Sequence, residues 1–114
     1  MYLHTGNFFN VNHLENVEKE RMERMAGSAH LCIERIVSNG ESGINNKWYD
    51  QDNDEWVILL KGKAVLEFED NLTLELTEGD YVLIPAHLRH KVTEVSRKPN
   101  CIWLALHGDI KIFE

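Results

Sequence analysis

The chain has 114 residues, the length of one ordinary domain, and 43% of them are hydrophobic. With 27% charged residues it has the balance of a globular protein and not of a disordered one. Twelve Lys and Arg against nineteen Asp and Glu give a formal charge of −7, which argues against nucleic acid as the main partner, since phosphate binding needs a basic surface.

At the N-terminus no basic stretch leads into an apolar run, so no secretion signal is expected. Asn12, with Glu15 three residues on, has the arrangement of a capping box. Leu14, Val17, Met22 and Met25 follow at roughly helical spacing, and Gly27 is a plausible stop. These signals predict a short helix within an N-terminal segment, residues 1–28.

From residue 29 to 114 the signals are those of strands. Leu31 to Val37 alternates in part, and Asn39, Gly40 and Gly43 mark a turn. Glu55 to Leu60 reads as a central strand, with Glu55, Val57 and Leu59 on one face and Trp56, Ile58 and Leu60 on the other. Its apolar run, Trp56 to Leu60, is far below the ~18 residues of a membrane helix. Lys61-Gly62 turns into Ala64 to Phe68. Glu69-Asp70-Asn71 turns into Leu72 to Leu76, and Thr77-Glu78-Gly79-Asp80 into Tyr81 to Ile84. His90 to Val95, Cys101 to Leu106 and a last strand, Ile110 to Phe113, complete the pattern. Short strands joined by tight turns predict an all-β sandwich or barrel, with a mouth suited to a ligand or metal. Cys32 and Cys101 read as free thiols of a reducing cytoplasm.

Two stretches carry candidate chemistry, Trp48 to Glu55 and Pro85 to His90. A carboxylate at Glu55, opening an apolar strand, needs a partner, because an unpaired buried charge is costly. His87 and His90 flank Arg89, and imidazole serves as metal ligand or general base. His4, His13, His30 and His107 show no metal-ligand spacing and read as surface or core-edge residues. Trp48, Trp56 and Trp103 read as core or interface residues more than as a sugar-stacking platform.

Glu55-x6-Gly62 followed by Gly79-x5-Pro85-x4-His90 resembles the two motifs of the cupins. Trp48-Tyr49-Asp50-Gln51 and Pro85-Ala86-His87-Leu88-Arg89-His90 are similar to those of a small subgroup of that family. The resemblance spans about Ile36 to His107 and implies a double-stranded β-helix, or jelly-roll, barrel. It also implies a metal site of three His and one Glu, from which this chain departs. The His-x-His expected before the glutamate falls on Tyr49 and Gln51 if three residues intervene before Glu55, and on Trp48 and Asp50 if four do. Only Glu55 and His90 match position by position, and His87 stands where the second motif has a Gly.

Two readings of the site stay open. In one, Asp50, Glu55 and His90 hold a divalent metal (Zn²⁺, Fe²⁺, Mn²⁺ or Ni²⁺), with His87 as a second imidazole, and His87 or Tyr49 handles protons. In the other the pocket is metal-free. There Glu55 and His90 hydrogen-bond each other, Arg89 faces Asp50, and Tyr49, Gln51, Tyr81 and Trp103 line an organic-ligand cavity. The expected partners are a small molecule and a second copy of the chain, since similar cupins dimerise and Trp56 to Leu60 is wholly apolar.

Overall fold

The computed structural model of the chain describes residues 2–14, 20–38, 40 and 47–114. Among the described residues eight strands follow one another: β1 (Arg21–Gly27), β2 (Leu31–Ser38), β3 (Asp54–Lys61), β4 (Ala64–Phe68), β5 (Thr73–Leu76), β6 (Tyr81–Ile84), β7 (His90–Val95) and β8 (Cys101–Gly108). They form two antiparallel sheets, one in the order β1-β2-β8-β3-β6 and one in the order β5-β4-β7. Among the described residues no helix is long and apolar enough to cross a membrane.

Alternation builds the core. On β3, Glu55, Val57 and Leu59 are buried, whereas Trp56, Ile58 and Leu60 are only half-buried on the opposite face. Val57 and Leu59 meet Leu66 and Phe68 of β4 and Trp103 and Ala105 of β8 in the cluster between the sheets. A second cluster lies on the outside of the large sheet, where Val11 and Phe8 of the N-terminal segment pack on Val37 and Ile102. Arg35 holds that segment down: its guanidinium donates to Glu23 Oε1 at 2.8 Å and to the carbonyls of Phe8 and Asn10 at 3.2 and 3.4 Å. Cys32 and Cys101 are both free thiols.

Two expectations are corrected. The predicted helix through Met22 and Met25 is strand β1, and among the described residues before it the helical geometry is a 3₁₀ turn at Asn12–Leu14. Glu15 and Val17 of the same prediction lie outside the described residues. The pattern misleads because β1 carries a β-bulge between Arg24 and Ala26. Met25 is the extra residue, so the period of two is broken. The second correction concerns Ile110 to Phe113, which is not a strand. After Gly108 the chain leaves the sheet, the Ile110 N–H bonds to Asp54 Oδ2 at 3.0 Å, and Ile112 and Phe113 are exposed.

The two motif glycines serve turns by which the chain changes sheets, Gly62 between β3 and β4 and Gly79 between β5 and β6. Both have left-handed backbones, with φ of 95° at Gly62 and 93° at Gly79. Gly62 N–H donates to Glu78 Oε2, and Gly79 N–H to the Leu59 carbonyl. The sites differ in room. A Cβ on Gly62 would lie 2.7 Å from Ser96 Oγ and 2.9 Å from Cys101 Sγ, whereas none of the described atoms lies within 4 Å of one on Gly79. Gly62→Ala is therefore expected to cost roughly 2–5 kcal/mol in urea denaturation, from strain and overpacking, and Gly79→Ala roughly 1–2 kcal/mol from strain. Equal losses would contradict this account.

Candidate functional site

β3 begins at the open end of the barrel, where Asp54 and Glu55 divide the work. Asp54 ties the rim: Oδ1 accepts the Ala86 N–H at 2.9 Å and Oδ2 the Ile110 N–H. These two donors, Ile110 first, hold its carboxyl below the usual carboxylate range. Glu55 points the other way, into the barrel, and is 7% exposed.

The segment before β3 is fastened to the start of β7. Tyr49 N–H donates to the His90 carbonyl at 2.7 Å, and His90 N–H to the Tyr49 carbonyl at 3.1 Å. His87 N–H donates to the Gln51 carbonyl at 2.8 Å. Successive residues of an extended chain point to opposite sides. Tyr49 and Gln51 therefore face the cavity, while Trp48 and Asp50 face out. The spacing with three residues between the pair and Glu55, and not four, is the one that reaches the interior.

His90 is 6% exposed. Its ring stacks on Tyr49 at 5.9 Å between centroids and lies 6.1 Å from Phe68. Nδ1 bonds to the Leu88 carbonyl at 3.0 Å, and a carbonyl can only accept, so Nδ1 carries a proton. Nε2 lies 3.7 Å from Glu55 Oε1, beyond hydrogen-bond length. The Glu55 carboxyl is pushed up by burial, against the nearby imidazoles of His107 and His90 and a hydrogen bond from Gln51.

Around this pair lies a cavity of ≈ 60 Å³. Its apolar wall comes from both sheets and includes Ile36, Val57, Leu66, Ile84, Val92 and Trp103. Its polar groups are Glu20, Tyr49, Gln51, Glu55 and His90, and among the described residues no Lys or Arg lines it. Glu20 and Met22 were not visible as site residues in the sequence. Glu20 sits among charges with no motif, and only the pairing of β1 with β2 brings it to the cavity. Ser38 Oγ donates to Glu20 Oε2 at 3.1 Å.

Of the sequence-predicted residues, Glu55, His90, Tyr49, Gln51 and Trp103 meet at the cavity. Four others do not. Asp50, expected beside Glu55 and His90, instead takes the His87 ring, Oδ1 to Nδ1 at 2.8 Å, with both side chains exposed. That bond pushes the His87 imidazole up. Arg89, expected to face Asp50, lies over the Trp48 ring at 5.4 Å, beside Lys91 at 4.6 Å. Tyr81 stacks on Trp56 at 5.3 Å on the outer face of the sheet. His107, read as a surface or core-edge residue, is paired with Glu34 at 2.8 Å.

The donor set does not fit a divalent metal. Structural and catalytic sites take three or four strong ligands. Among the described residues no group of three or more His, Cys, Asp or Glu side chains is placed to hold one. The two positions that would complete such a set hold a phenol and an amide, and the amide is engaged with Glu55.

The family model described as "Cupin domain" matches residues 35–107. Among solved structures, a Ralstonia eutropha protein named "putative mannose-6-phosphate isomerase" is similar over 95% of this chain and 100% of its own, with 33% identity and a TM-score of 0.83. A cupin-2 domain protein of Shewanella frigidimarina is 19% identical over 90% of this chain and 92% of its own, with a TM-score of 0.68. An RmlC-like cupin of Methanocaldococcus jannaschii with a double-stranded β-helix fold is 17% identical over 83% and 84%, also at 0.68. Comparison with curated proteins found no significant relative.

Burial pushes the Glu20 carboxyl up, opposed by the Ser38 hydrogen bond and reinforced by the charges of Glu55 and Glu34. A carboxyl with a raised folded pKa stabilises the fold fully below its unfolded value, near 4.5, and loses that contribution as pH rises through the folded value. Glu20→Gln replaces it with a neutral group that can still accept from Ser38. The variant is expected to melt higher than wild type at about pH 8, by an amount on the order of a few °C, with the difference vanishing near pH 4. A lower melting temperature at pH 8 would refute this.

Proposed function

The chain belongs to the cupin domain family, and from that premise we propose that its barrel-mouth cavity binds a small organic molecule and exchanges a proton with it through Glu55 and His90. The observation that carries the reading is the 3.7 Å gap between His90 Nε2 and Glu55 Oε1. Both side chains are buried at an apolar cavity, and the gap is too long for a direct hydrogen bond. A ligand atom between them bonds to both.

The two groups divide the roles. The Leu88 carbonyl holds the proton on Nδ1, so in the neutral ring Nε2 bears the lone pair and acts as base. Burial favours the protonated form of Glu55, which acts as acid. A protonated carboxyl and an imidazole lone pair give a donor and an acceptor on one ligand. Gln51 orients the carboxyl, and Tyr49 and Phe68 hold the imidazole plane. The sugar phosphate in the name of the Ralstonia relative would need a cation at its phosphate, and no described lining residue supplies one. The reading is therefore of a small molecule without a phosphate.

The test is a fragment screen by NMR, followed by deuterium exchange in D₂O. Expected are fragments that shift the Trp103 indole signal and exchange a C–H proton with solvent. His90→Gln should slow that exchange by about 10²–10⁴-fold. A library in which no fragment reaches Trp103 would sink the reading.

No resident metal takes part in this proposal. Protein purified without chelator is expected to give no visible Co²⁺ spectrum on titration, whereas Tyr49→His combined with Gln51→His, which adds two imidazoles facing the cavity, gains one. A stoichiometric tetrahedral Co²⁺ band in the wild-type chain that His90→Ala abolishes would overturn it.

A further inference from the structure

The cavity is rich in acceptor atoms. Glu55 and Glu20 present carboxyl oxygens, and Ser38 and Gln51, their hydrogen-bond donors, come from the protein side. His90 Nδ1–H is spent on the Leu88 carbonyl, which leaves Nε2 as an acceptor. His90 is more than nine-tenths buried, and Nε2 has no hydrogen-bond partner among the described residues. A buried polar atom left without a partner is costly, so this one marks a place where an outside donor is wanted.

Charge agrees with the hydrogen-bond count. Two carboxyls line the cavity, and among the described residues no Lys or Arg offsets them. The nearby cations are engaged elsewhere, Arg89 and Lys91 on the outer Trp48 and Arg35 on Glu23. The apolar wall adds the faces of Trp103 and Tyr49, and aromatic faces attract cations.

We infer that the cavity takes a small ammonium ligand, a primary alkylamine in its protonated form, with its N–H donors toward His90 Nε2 and the carboxyls and its short alkyl body against Ile36, Val57 and Trp103. An ammonium supplies donors only, and positive charge, which matches what the site lacks. Burial pushes both carboxyls up in the empty cavity, and a cation beside the two favours their ionised forms. The ≈ 60 Å³ of the cavity sets the size at a few heavy atoms. This inference rests on reading the cavity as a small-molecule site and names the chemistry of its occupant.

Three isosteric probes test it on the full chain at fixed ionic strength: isopropylammonium, isopropanol and acetate, each titrated while the Trp103 indole N–H is followed by NMR. Isopropylammonium is expected to bind about tenfold more tightly than either of the others. Glu20→Gln should remove most of that preference. If Glu20→Gln does not fold, the ranking of the three probes on wild-type protein decides alone. Equal binding of all three, tighter binding of acetate, or an unchanged preference in a folded Glu20→Gln variant overturns the ammonium assignment and leaves the small-molecule site standing. Silence of the Trp103 signal toward every probe, and in the fragment screen, removes both.

Discussion

Two backbone hydrogen bonds between Tyr49 and His90 set the geometry on which the rest of the site depends. They join the segment before β3 to the first residue of β7, across the gap between the two sheets. Because an extended chain alternates its side chains, this single pairing decides that Tyr49 and Gln51 look inward and that Trp48 and Asp50 look outward. A slip of one residue would exchange the sets. It would place Asp50 and Trp48 in the barrel and expel the amide that steadies Glu55. The pairing also brings the His90 ring onto Tyr49, so one contact fixes both the lining and the imidazole.

The molecule buries charge in two places, and the contrast separates scaffold from site. Arg35 is 6% exposed, and its guanidinium meets a carboxylate and two carbonyls. Those contacts are mechanical, with the N-terminal segment pinned across the outer face of β2. Glu55 and His90 are buried to the same degree, yet they stand 3.7 Å apart with an acceptor left open. The scaffold meets its polar needs internally, whereas the cavity leaves some of them for a ligand.

The rim shows the same division at single-residue scale. Asp54 and Glu55 are neighbours on β3 and point to opposite sides of it. Asp54 binds two backbone N–H groups and falls below the usual carboxylate range, while Glu55 enters the apolar interior and rises above it. His87 and His90 divide likewise. His87 sits at φ 67°, exposed and paired with Asp50, while His90 is enclosed. Residue type alone would have grouped each pair together. Burial on one side and hydrogen-bond partners at the rim on the other set them apart.

Most strands and the glycine turns were legible in the sequence, because they depend on neighbours along the chain. Glu55 to Leu60 read as a central strand with two apolar faces, and Gly62 and Gly79 mark turns that need a left-handed backbone. The spacing of Glu55, Gly62, Gly79, Pro85 and His90 was enough to resemble the cupins. Only tertiary structure decided that residues 21–27 are a strand, since a bulge hides its period and pairing with β2 supplies its hydrogen bonds. The same holds for the direction of the Tyr49–Gln51 segment, the withdrawal of Asp50 and Arg89 from the site, and the arrival of Glu20. These depend on contacts between residues tens of positions apart, as between Tyr49 and His90, and local spacing carries no information about which partner a backbone group will find.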